Sequence, residues 1–169
     1  MNTHYIYQVH GVLIQSNRPI SGLPPHTLST TNHAELRLQI DTLAQLLERH
    51  SLSERLQQAH QCLPSSTKGT RLQTLGDGGI LIFDDAAPSY RLAAVLSEDG
   101  QTLEIGWSET ERAGLDGLDR IMTAYVLGNL VAMALRLSGK LVLHGNAVRI
   151  GNQSIAWIGG KGAGKSSLS

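Results

Sequence analysis

The chain has 169 residues, 41% of them apolar and 17% charged, which is enough for one core and part of another. Lys plus Arg and Asp plus Glu each number 14, so the bulk charge carries no footprint for nucleic acid or an anionic membrane. One cysteine, Cys62, excludes an internal disulfide and fits a reducing, cytoplasmic setting.

The opening residues lack a positively charged region followed by an apolar run, so no secretory signal is expected. Residues 4–15 alternate loosely, Tyr5, Tyr7 and Val9 against Ile6, Gln8 and His10, and break at Gly11 before Val12, Leu13 and Ile14, which reads as two short strands or one bent strand. Pro19, Pro24 and Pro25 punctuate a loop. Leu36, Leu38 and Ile40 alternate with polar residues as in a half-buried strand, and Leu43, Leu46 and Leu47 continue with helical spacing; helix from His33 onward is the alternative. Ser53 suits an N-cap for a second helix carrying Leu56, Ala59, His60 and Leu63 up to Pro64. Residues 65–69 read as loop.

Three strands are expected at 79–83, 90–96 and 102–107, the last two joined across Asp99-Gly100, a hairpin signal. Together they predict a small antiparallel sheet. Asp84-Asp85 precedes Pro88 and reads as a solvated turn rather than an acid/base pair. The seven histidines show no metal-ligand spacing. Residues 115–137 then form an amphipathic helix, with Asp116 and Asp119 near its start and Gly139 as its C-cap. The uncharged run 121–135 within it is too short and too polar to span a membrane.

Two strand-like runs, 141–150 and 153–158, flank Gly151-Asn152, a loop that sets a hairpin register. If Ile150 faces Gln153, then Val148 faces Ile155, Asn146 faces Trp157 and His144 faces Gly159. The second strand runs into Gly159, Gly160, Lys161, Gly162, Ala163, Gly164, Lys165 and Ser166, which fits the phosphate-binding pattern G-x-x-x-x-G-K-[ST] at every fixed position. Glycines let backbone N–H groups turn toward phosphate oxygens, a lysine adds charge, and a serine hydroxyl can hold Mg²⁺. A chance match in a chain of this length is on the order of one in a hundred. The register makes His144 a neighbour of the loop and a candidate donor or acid/base; a histidine with a purely structural role is the alternative.

The segment 143–148, the Gly-Asn turn and the loop 159–166 together resemble the HPr serine kinase/phosphorylase family and its bacterial serine-kinase relatives. Tyr7, Gly11, Ile14, Ser16, Pro19 and Leu23 fit the same outline with less specificity. The resemblance implies that ATP binds through residues 159–167, Ser167 included, that Ser166 holds Mg²⁺, and that His144 and Lys165 serve phosphoryl transfer to a serine of a protein or peptide partner. It also implies an α/β (α+β) fold: an N-terminal accessory region over 1–113, then from 114 a helix, the hairpin and a loop opening a phosphoenolpyruvate-carboxykinase-like nucleotide domain. Members of the family often form homo-oligomers.

The family's catalytic aspartate and Mg²⁺-binding acids follow the loop, whereas the last acidic residue here is Asp119. The expectation is therefore an N-terminal part of such a kinase, inactive or nearly so by itself. A non-catalytic nucleotide-binding or peptide-binding module of a biosynthetic or transport system, and another phosphate-loop enzyme, are the alternatives. No nucleic-acid or membrane partner is expected.

Overall fold

The computed structural model describes residues 4–9, 11–20, 22–24, 34–54, 70–84, 90–109 and 123–160. The chain divides into two compact units, residues 1–139 and 140–169. The helix expected beyond Glu54, Cys62, the loop at 65–69, Asp85 to Pro88 and the start of the 115–137 helix lie outside the described residues.

The first unit mixes helices with a seven-stranded sheet, ordered β1-β2-β3-β7-β6-β5-β4. The strands are β1 (Tyr5–Val9), β2 (Val12–Ser16), β3 (Leu36–Thr42), β4 (Thr70–Thr74), β5 (Ile80–Asp84), β6 (Tyr90–Leu96) and β7 (Thr102–Glu109). Against the expected small antiparallel sheet, two differences stand out. First, β4 is a strand that the sequence pattern does not announce, because Thr70 to Thr74 carries only one large apolar residue; it forms an antiparallel edge on β5. Second, β3 lies parallel to both β2 and β7, so the sheet is mixed. Parallel neighbours need a long crossover, and the chain between Ser16 and Leu36 provides one.

Side chains of one face run unbroken through the register partners Tyr7, Ile14 and Leu36, and then through Leu38, Leu103, Ile105, Ala94 and Ile82. All are nearly inaccessible, which makes this face the main core. Asn17 ends β2 by standing in for a strand residue. Its carboxamide donates to the Ile40 carbonyl (3.0 Å) and accepts from the Ile40 N–H (2.7 Å), leaving no orphan at that residue of β3. The Tyr7 hydroxyl accepts from the Ile20 N–H at 2.8 Å and ties down the following loop.

On the other face sits α1 (Leu43–Arg49). It starts with a capping box: the Thr42 hydroxyl accepts from the Gln45 N–H, and the Gln45 side chain accepts from the Thr42 N–H. It ends in a Schellman pair, Leu52 N–H to Leu47 C=O and Ser51 N–H to Glu48 C=O, with Ser51 at φ 52°. Leu46 and Leu52 pack with Leu81, Ala93 and Val95, so β6 is buried on both faces. Gly106 of β7 permits this approach: a Cβ there would lie 2.8 Å from Leu46 Cβ and 2.9 Å from both Leu43 Cα and the Thr42 carbonyl oxygen.

The described part of the long helix contains a π-helical turn (Val126–Leu130) followed by α2 (Val131–Leu137). It buries Val126, Leu130, Val131 and Ala134, and contacts β7. Gly139 closes it at φ 79°, the C-cap expected from sequence. Among the described residues no helix is long and apolar enough to cross a membrane.

Candidate phosphate-loop site

The second unit is built on a two-stranded ladder, β8 (Gly145–Ile150) and β9 (Gln153–Ile158). Its register follows the expectation: Ile150 pairs with Gln153, Val148 with Ile155, and Asn146 with Trp157. The turn has Gly151 at φ 61° while Asn152 stays at negative φ, which is the type II′ signature. The Arg149 Nε donates to the Gly151 carbonyl at 2.9 Å and braces that turn.

The last ladder pair is Gly145 with Ile158. His144 therefore directly precedes the final pair on one strand, and Gly159 directly follows it on the other. His144 is exposed, Gly159 is half-buried and Gly160 is exposed. Gly145 has a steric reason to be glycine, since a Cβ there would lie 2.9 Å from the Trp157 carbonyl oxygen. Lys161, Gly162, Ala163, Gly164, Lys165, Ser166 and Ser167 lie outside the described residues.

The charge of this unit is one-sided. Residues 140–169 contain Lys140, Arg149, Lys161 and Lys165 and no Asp or Glu. The sequence of this unit therefore places no carboxylate side chain near the glycine-rich motif along the chain. The same sequence supplies no such carboxylate for a metal there, and among the described residues no three His, Cys, Asp or Glu side chains gather as a metal site. The hairpin exposes Ile150, Ile155 and Ile158, and the segment before β8, which is not strand as expected from 141, exposes Leu141 and Leu143, an apolar load unusual for a bare two-stranded ribbon.

A separate charged network in the first unit escaped the sequence reading. Arg49, at the end of α1, donates from Nη2 to Asp41 Oδ2 (2.6 Å) and from Nη1 to Glu104 Oε2 (2.5 Å). The Glu104 hydrogen bond, then the Asp41 one, raise the Arg49 pKa above its ordinary value. Gln39 Nε2 also donates to Asp41, at 3.1 Å. His50 Nε2 lies 3.2 Å from Glu104 Oε1 but out of line for a hydrogen bond. These residues come from separate elements, with Glu104 far from the others in sequence, so no spacing could have announced them.

Comparison with known protein families, curated proteins and solved structures finds no match to this chain.

Proposed function

We propose that this chain belongs to an ATP-dependent serine kinase of the HPr-kinase kind and carries its phosphate loop. The observation that supports the reading best is the β8–β9 register, which delivers a complete G-x-x-x-x-G-K-[ST] motif from a strand and sets His144 beside its first glycine. In this reading the backbone N–H groups of 159–166 bind the phosphates of ATP, and Lys165 neutralises charge on the β- and γ-phosphates. Ser166 and Ser167 complete the loop, with the Ser166 hydroxyl as a ligand for Mg²⁺, which supplies electrostatic stabilisation of the transferring group. In the same reading His144 accepts or returns the proton of the acceptor serine hydroxyl. The acceptor is a serine of a protein or peptide, and the reducing cytoplasm is the compartment that suits the single Cys62.

The test, on the full-length protein, is calorimetric titration with Mg·ATP followed by a phosphotransfer assay from γ-labelled ATP. Binding in the range of ~1–100 μM is expected, weakened at least about tenfold by Lys165→Ala. Transfer to serine should be abolished by that change and reduced by ~10²-fold by His144→Ala. Binding that is indifferent to Lys165→Ala would end this reading, and binding without transfer would favour a nucleotide-binding module.

A further inference from the structure

Helix α1 lies over β6, β7 and β3 on its face of the sheet, and beside it the same face opens into a cleft of about 420 Å³ within the first unit. Two rows of polar side chains floor this cleft. Gln15, Arg37 and Thr102 are register partners on β2, β3 and β7, so their side chains stand abreast. With strands ~4.8 Å apart, the three donors span roughly 10 Å. Two residues further along each strand come Asn17, Gln39 and Glu104, of which Gln39 and Glu104 are again register partners.

The rows differ in how they are engaged. Asn17 is bonded to both backbone groups of Ile40, Gln39 to Asp41, and Glu104 to Arg49. That row is held rigidly by the protein. In the first row, Gln15 and Thr102 are half-buried and Arg37 is exposed, and none of the three side chains bonds an acceptor among the described residues. Charge follows the same division: Arg49 is matched by Asp41 and Glu104, whereas Arg37 has no carboxylate against it among the described residues. A preformed cleft of this size, with a fixed polar floor and one unneutralised guanidinium between two neutral donors, matches the recognition of a single oxyanion.

We propose that this cleft binds a small organic anion, whose carboxylate or phosphate group is held by Arg37 with Gln15 and Thr102 at its sides. Glu104 then selects for a hydrogen-bond donor elsewhere on the ligand. Every residue named at this site belongs to the first unit.

The probes are succinate and inorganic phosphate, titrated into the full chain carrying Lys165→Ala so that anion affinity of the phosphate loop is removed. Amide NMR shifts of Arg37 and Thr102 report occupancy. One of the two probes should bind with Kd below ~5 mM, and the preferred probe identifies the ligand as a carboxylate or a phosphoryl compound. Arg37→Gln should weaken that binding at least tenfold and Thr102→Val at least threefold, with Tm unchanged because both positions are solvent-accessible. Binding weaker than ~5 mM for both probes, or binding that Arg37→Gln leaves intact, overturns the proposal. ATP affinity of the unmodified chain is read separately, so failure here and failure of the kinase reading cannot be confused.

Discussion

Replacing Gly106 with alanine tests how closely α1 is pressed onto the sheet. The added Cβ would sit at 2.8–2.9 Å from Leu46 Cβ, Leu43 Cα and the Thr42 carbonyl oxygen, and two of those three are backbone atoms that cannot swing aside. Overpacking of this sort costs ~1–3 kcal/mol. Alanine recovers ~0.5–1 kcal/mol of that through its lower unfolded-state entropy in a strand. The net expectation is ~1–2 kcal/mol of destabilisation, or a Tm lower by roughly 2–8 °C for a chain of this size. Trimming Leu46 to alanine as well leaves its Cβ in place, so the double variant is not rescued. Gly128 is the control: it lies in the π-helical turn with nothing within 4 Å of a Cβ, and Gly128→Ala should stabilise by ~0.5–1 kcal/mol. Urea unfolding of the purified variants reads both signs. If Gly106→Ala proved as stable as the parent while Gly128→Ala was destabilised, the helix would not be seated as described.

Three further changes probe the elements around the cleft. Ser51→Gly should stabilise by ~1 kcal/mol in urea unfolding, because Ser51 occupies a left-handed conformation that disfavours a Cβ. Asn17→Ala should destabilise by ~1–3 kcal/mol in the same assay, since it strands both backbone groups of Ile40. Asp99 has its pKa lowered from 3.8, first by the Ser97 hydroxyl and then by the Gln101 N–H. Its contribution to the β6–β7 turn is therefore complete above the unfolded value of 3.8 and lost as pH falls through the lower folded value. An NMR titration should place its midpoint below 3.8, and Ser97→Ala should move that midpoint upward.

Local order was legible wherever neighbours in sequence are neighbours in space. The alternation of Leu36, Leu38 and Ile40, the Asp99-Gly100 turn, the Gly139 cap and the Ile150–Gln153 register all came from patterns with a period or turn chemistry of their own. The Thr42 to Gln45 capping box was there to be read as well and was missed. β4 was not legible, because Thr70 to Thr74 becomes a strand through β5 rather than through its own pattern. For the candidate site, sequence supplied the whole phosphate-loop motif and its basic, acid-free surroundings, and the structure added the pairing that brings the strand ends beside His144 and Gly159.

By itself, then, the sequence determined the G-x-x-x-x-G-K-[ST] motif and the register of the hairpin before it, because both are written in contiguous residues. Only the tertiary structure decided that β3 lies parallel between β2 and β7. That choice depends on crossover connections and shared burial, which no local pattern records. It is also what aligns Gln15, Arg37 and Thr102, residues from three distant stretches, into one row of donors on an open face.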